Sequence, residues 1–208
     1  MTERLVERTL RAFGDDLASS AAVPGGGSAA AYAGVMGAAL AAMVGRIAER
    51  KEKSEATSAL IAEADNLRAD FVRLVDDDSA AYARVSEAMK LPKATDDEKR
   101  ARTERIQSAL LAASRVPLEV TKTSRRLLDL CERTVERAAT ATVSDIGVGA
   151  FLAETALRGA ALNVMINLAS VTDSAQVKAL SEDLDRAVDG AEAQRKRITD
   201  FVESRIAR

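Results

Sequence analysis

From Leu17 to Gly45 the chain carries no charged side chain, and most of that run is Ala, Gly or Ser. Its length would suffice to cross a bilayer. Leu40 and two methionines are its bulkier members, however, so its apolar drive is weak, and we expect no membrane insertion. A helix of this kind belongs inside a bundle, where Ala30, Gly34, Ala38, Ala41 and Gly45 form a small-residue stripe that lets axes approach closely. Composition leaves open whether the neighbour on that stripe is the same chain or a second copy.

The remaining sequence extends the helical reading. Hydrophobic residues make up 47 % of the 208 positions, but aromatics only 3 %, and Trp is absent. Ala, Leu and charged residues favour helices, whereas strands lack their usual aromatics. A first amphipathic helix is expected from about Thr2 to Ala18, with Leu5, Leu10, Phe13 and Leu17 inward. A second follows the Pro24-Gly25-Gly26-Gly27-Ser28 break and reaches about Ala48, ahead of the charged connector Glu49 to Glu55. A third runs from Ser54 to Lys90. Thr95-Asp96-Asp97-Glu98 reads as a capping box opening a fourth, which extends to about Ala139 with Pro117 kinking or dividing it. Ser144, as N-cap, and Asp145 open a fifth to about Ser170, and a sixth covers about Ser174 to Ala207. The expectation is one all-α domain, residues 1–208, built as a bundle of about six helices.

Charge and residue inventory narrow the chemistry. Lys plus Arg total 30 against 32 Asp plus Glu, a formal charge of −2, which gives no basic face for nucleic acid. There is no histidine, so His general bases, His-ligated metals and Ser-His-Asp catalysis are excluded for this chain alone. Cys131 is the single cysteine; it reads as a core residue, and a reducing cytoplasm is the expected compartment. The stretch Met1 to Arg11 contains Glu3, Arg4, Glu7 and Arg8 and so offers no uninterrupted signal core. Chemistry must rest on carboxylates, amides, hydroxyls, Lys or Arg, and backbone dipoles.

Asp78 is the strongest candidate. With Leu60 at zero on a helical wheel, Leu67, Phe71, Leu74, Tyr82, Val85 and Met89 fall within roughly 40°, and Asp78 lies on the same line. Asp76 and Asp77 point elsewhere, at roughly 160° and −100°. A carboxylate on an apolar stripe loses hydration, and this suits a general acid or base, or a counter-ion to a cationic substrate. The plainer alternative is a solvated acidic run with one member tucked against an arginine.

Three further features could join it. The Gly25, Gly26, Gly27, Ser28 turn permits close backbone approach and presents helix-start amides to an anion or carbonyl; otherwise it is a hinge with Ser28 as N-cap. It is no Walker A loop, since no Gly-Lys-Ser/Thr ending follows. Asn163 and Asn167, four residues apart, share the small-residue face of Gly149, Ala153, Ala156 and Ala160. They either bond neighbouring helices or meet a polar ligand. Lys93, in the Leu91-Pro92-Lys93 turn, is an exposed lysine or a contact for an anionic tail.

In order along the chain stand Pro24-Gly25-Gly26-Gly27-Ser28-Ala29-Ala30-Ala31, a Leu-Val-Asp-x-Asp pattern ending at Asp78, and Leu91-Pro92-Lys93-Ala94-Thr95. Then follow Ile106-Gln107, Val116-Pro117, Ser144-Asp145-Ile146-Gly147-Val148-Gly149 and Gly159-Ala160-x-Leu162-Asn163-Val164-x-Ile166-Asn167. Each is weak alone. Together they resemble the formiminotransferase-cyclodeaminase/methenyltetrahydrofolate cyclohydrolase family over nearly the whole chain. Two connectors depart from the pattern: Arg50-Lys51-Glu52-Lys53-Ser54 lacks an aromatic residue, and Thr140-Ala141-Thr142-Val143 lacks a Gly-Asn.

The resemblance implies an all-helical, homodimeric folate enzyme without metal or redox cofactor. It implies Asp78, the second Asp of Asp-x-Asp, as the catalytic residue. On this reading Asp145, Asn163 and Asn167 meet polar edges of the pterin, Gly25 to Ser28 cradle a polar or anionic part of the folate, and Lys93 meets glutamate tails. The expected reaction is hydration of 5,10-methenyltetrahydrofolate to 10-formyltetrahydrofolate, because no formiminotransferase segment accompanies this sequence. Cyclodeamination of 5-formiminotetrahydrofolate is the alternative, and a noncatalytic folate-binding or partner-binding bundle is another.

Overall fold

The computed structural model describes residues 4–207, all of whose regular structure is helical. Thr2, the expected start of the first helix, lies outside them. That first helix is in fact two pieces, a 3₁₀ turn at Leu5–Glu7 and α1 at Leu10–Leu17. Thr9 divides them because its side chain accepts from the Ala12 N–H and so starts a new helix. Leu5 and Phe13 pack on the core, and the Phe13 ring meets that of Tyr32 at 5.5 Å. Leu10 and Leu17 are exposed, since so short a helix has only one docking side.

Four long helices carry the fold: α2 (Gly26–Lys51), α3 (Glu55–Met89), α4 (Asp96–Val135) and α5 (Val143–Leu168). They pack in a ring in chain order, α5 closing back onto α2. The small-residue stripe resolves as packing within the chain. A Cβ at Gly34 would lie 2.6 Å from Phe71 Cζ, and one at Gly45 would lie 2.9 Å from Ile61 Cγ1, so α3 fills the room those glycines leave. Phe71, Leu67 and Leu74 are buried there, each side chain contributing about 1.5–3 kcal/mol of burial. By length and composition α2 could span a membrane, but most of it is enclosed by the bundle.

The helix boundaries follow side-chain chemistry. Ser54 caps α3, and Thr95 with Glu98 forms the expected reciprocal capping box on α4. Pro117 does not divide α4, which runs through it unbroken. Ser144 is not the cap of α5: a 3₁₀ turn at Thr140–Thr142 leads directly in, and helix starts at Val143. The last expected helix is split into α6 (Ser174–Val188) and α7 (Ala191–Ile206), because Gly190 takes a left-handed conformation with φ 66°. Helices α6 and α7 lean against α4 and α5. Cys131 is buried, and burial pushes its thiol up to about 12, which makes it inert packing.

Candidate functional site

Three consecutive carboxylates on α3 meet three different environments. Asp76 accepts from Arg4 Nε at 2.9 Å and from the Leu5 N–H at 2.8 Å, and so ties the N-terminal turn to the bundle. Asp77 pairs with Arg73 one helical turn earlier, at 2.6 Å on the exposed side. Asp78 turns inward, and no Lys or Arg reaches it among the described residues. The alternative in which an arginine neutralises it is thereby overturned.

What meets Asp78 instead is the start of α2. That helix begins at Gly26, with Gly25 as its extended N-cap residue, so Ser28 lies inside the first turn rather than capping it. The fully buried Ser28 hydroxyl sits 2.9 Å from the Val75 carbonyl, 3.1 Å from Asp78 Oδ2 and 3.2 Å from Ser79 Oγ. A hydroxyl has one proton and can also accept. Facing an ionised Asp78 it donates to the carboxylate. Facing a protonated Asp78 it accepts that proton's hydrogen bond and donates to Val75. Burial pushes the Asp78 carboxyl above its ordinary value of 3.8, against the smaller opposing pull of the Ser28 side chain and backbone N–H.

The carboxyl group borders a cavity of about 380 Å³. One wall is Gly25, Gly26 and Gly27; another is Asn163 and Asn167 near the end of α5. Tyr82, Val85 and Met89 supply an apolar wall, completed by Leu110 and Ala113 of α4 and by Ile166. The stripe read from the sequence thus changes role at Asp78: Leu67, Phe71 and Leu74 before it are core, whereas Tyr82 and Met89 after it are about half exposed and face the cavity. Asp78 is the only charged group among the lining residues.

The amides resolve both ways. Asn163 Nδ2 donates to the Gly159 carbonyl of its own helix at 2.8 Å, and its carboxamide packs against Gly26. Asn167 Nδ2 donates across to the Ala113 carbonyl of α4 at 3.0 Å. Both therefore bond backbone through their NH₂ groups and still line the cavity. Lys93 is exposed in the connector beyond Met89 and does not line it. Asp145 is half-buried in the first turn of α5, whereas Asn163 is 18 residues on, about 27 Å along the same helix, so one chain does not bring them together.

Sequence reasoning missed Ser170 and Gln107. The Gln107 carboxamide donates to the Ser170 carbonyl at 3.0 Å and accepts from the Thr172 N–H at 2.8 Å, and this fastens the cavity rim after α5 to α4. Ile106-Gln107 is one of the motifs that carry the family resemblance, but nothing local to it indicates a partner 63 positions away.

A family model described as formiminotransferase-cyclodeaminase matches residues 9–186. The methenyltetrahydrofolate cyclohydrolase of Methylorubrum extorquens is 38 % identical over 202 residues, covering 95 % of this chain and 97 % of the relative. The formimidoyltransferase-cyclodeaminase of Sus scrofa is 34 % identical over 209 residues, covering 99 % of this chain but 39 % of that longer protein. Among solved structures, the formiminotetrahydrofolate cyclodeaminase of Thermotoga maritima matches with a TM-score of 0.84 at 25 % identity, covering 95 % of this chain and 97 % of that one.

Proposed function

Since this chain belongs to the formiminotransferase-cyclodeaminase family, we propose that it is a methenyltetrahydrofolate cyclohydrolase with Asp78 as its catalytic residue. The observation that carries the reading is a half-buried aspartate with no Lys or Arg beside it among the described residues, on the wall of a cavity whose other described lining residues carry no charge. Such a cavity suits a cationic guest. The methenyl group is an amidinium carbon flanked by two nitrogens, and placing it beside Asp78 supplies the missing positive charge.

The carboxylate takes a proton from water as the oxygen bonds to the methenyl carbon, and the C=N electron pair returns to nitrogen. Asp78, now protonated, returns that proton to N5 as the C–N5 bond breaks, and the carbinol O–H releases its own proton to form the formyl C=O. Atoms and electrons balance with water alone, so the reading assigns no metal or redox cofactor. Gly25 to Ser28 hold the reacting end against Asp78, and the two asparagines contact the pterin. Lys93 is assigned to the glutamate tail, beyond the cavity, and the reaction is placed in the cytoplasm.

We further assign a homodimer. The outer side of α5 exposes Val148, Phe151, Leu162, Met165 and Ile166, with Leu162 66 % and Ile166 68 % open, beside the uncharged outer face of α2 around Met36 and Ala39. A patch of this kind on a chain of this size calls for a partner. A two-fold axis crossing α5 between Ala156 and Leu157 would set Val148 against Met165 and Phe151 against Leu162. It would also carry Asp145 of the partner subunit toward the Asn167 end of the cavity, which explains why one chain leaves Asp145 remote.

Cyclodeamination remains a second reading on the strength of the Thermotoga structure, which matches 95 % of the chain. Incubating the pure protein with each substrate decides between them. Loss of methenyl absorbance without ammonia supports hydration; ammonia release from the formimino substrate would replace it; neither would end the enzymatic assignment.

A further inference from the structure

Pro117 sits buried in the middle of α4, a 40-residue helix that passes through it without a break. Proline has no N–H, so the carbonyl four residues earlier, that of Ala113, loses its helical partner. Ala113 is itself buried at the cavity wall, and a carbonyl there needs another donor. The donor it finds is the Asn167 carboxamide, at 3.0 Å from a different helix.

From this we infer that Pro117 is a positioning residue for the cavity: by leaving the Ala113 carbonyl open it fixes Asn167 with its NH₂ turned away and its Oδ1 free to accept from the ligand. A flipped amide would set Oδ1 against the Ala113 oxygen and leave a buried carbonyl unpaired, so a single orientation survives. No described residue donates to Asn167 Oδ1, although Asn167 lines the cavity. Asn163 differs instructively. Its NH₂ rests on the Gly159 carbonyl, which already has the helical N–H of residue 163 as partner, so that amide is held less firmly.

The consequence is a cavity whose locked polar side-chain groups, Asp78 and Asn167 Oδ1, are acceptors, beside the backbone N–H groups of the glycine wall. It selects a heterocycle that presents N–H groups on one edge. Resting on the proposed function, that edge is assigned to the amino and ring N–H groups of a reduced pteridine, held while Asp78 attends to the one-carbon unit. Orientation of Asn167 precedes binding and needs no ligand.

The test is Pro117→Ala, which restores an N–H to residue 117 and with it a helical partner for Ala113. In the ligand-free protein, the Asn167 side-chain NH₂ resonances should be protected from exchange in the parent and lose that protection at least tenfold in the variant. Unchanged protection would overturn the inference whatever the substrate proves to be. With the methenyl substrate, KM should rise about tenfold and kcat stay within about threefold, a split that a general loss of structure would not give. An equal fall in kcat, or no change in KM once the amide is released, would also overturn it. In an Asn167→Ala background the Pro117→Ala substitution should have no further effect on KM; an effect of undiminished size would show that proline acts by another route. Absence of any folate turnover in the parent would instead refute the proposed function and leave the amide measurement standing.

Discussion

Gly27 and Asp78 occupy one another's space: a Cβ built on Gly27 would overlap the whole carboxyl group, lying 2.5 Å from Cγ and 2.7 Å from Oδ2. The glycine run before α2 is therefore explained less by conformational freedom, since none of these residues has positive φ, than by the need to lay backbone directly on a carboxylate. That contact dries one side of Asp78 while the other faces the cavity. Proximity and exposure of the acid are set by the same missing methyl group.

Gly27→Ala should consequently expel Asp78 from its seat. We expect kcat/KM to fall by at least about 10²-fold, as for a misplaced general acid or base, with a loss of about 1–3 kcal/mol in stability from overpacking. Circular dichroism should retain the helical spectrum. A variant with parental turnover would show that the carboxyl position in the structure is not the working one.

Asp78→Asn removes the proton carrier but keeps the shape. Turnover should drop by about 10²–10⁴-fold. Stability should move the other way. A carboxyl whose folded pKa is raised holds its proton more tightly in the folded state, so its stabilising contribution is complete below its ordinary value of 3.8 and is lost as pH rises through the higher folded value. At neutral pH the ionised Asp78 is thus a burden, and the Asn variant should melt no lower than the parent. The parent should close any gap at pH 3. A clear loss of thermal stability at pH 7 would contradict the desolvated carboxylate.

Ser28→Ala isolates the hydroxyl. Because Ser28 pulls the Asp78 pKa down, its loss should raise that pKa further and shift the acidic limb of the kcat/KM profile to higher pH, where kcat/KM requires ionised Asp78. Stability should fall by about 1 kcal/mol, since the Val75 carbonyl remains in its helix. An acidic limb that stays put, or moves down, would mean that Ser28 does not tune the acid.

These residues differ in how readily the sequence disclosed them. Asp78 was legible because helical periodicity alone sets it on the line of Leu67, Phe71 and Leu74, and the Thr95 capping box was legible because it is local. For Ser28 the alternative of an N-cap fails, because Gly25 holds that position, and only the approach of α3 shows that the serine hydroxyl is claimed by Val75 and Asp78. The pairing of Asn167 with Ala113 spans 54 positions and depends on a proline defect in another helix, information no local pattern holds. Gly190 is hidden in the sequence because Leu184, Ala187, Ala191, Gln194 and Ile198 keep three- and four-residue spacing across it; its left-handed φ is what separates α6 from α7.

The dimer assignment makes the sharpest remaining prediction, because it places Asp78 and Asp145 of one functional site on different chains. The parent should sediment as a dimer, and Leu162→Arg, which sets a charge among the exposed apolar residues of α5, should give monomers with a retained helical spectrum. Asp78→Asn and Asp145→Asn should each be folded and dimeric, with little turnover. Unfolded and refolded together in equal amounts, they should recover about one quarter of the parental activity, because half of the random dimers are mixed and each mixed dimer carries one site with both aspartates. A monomeric parent would remove the partner altogether. A dimeric parent whose mixed refolding restores nothing would show that the two aspartates do not meet across the interface, and an Asp145→Asn dimer with parental turnover would place Asp145 outside the site, leaving the apolar α5 face as an assembly surface without a part in the chemistry.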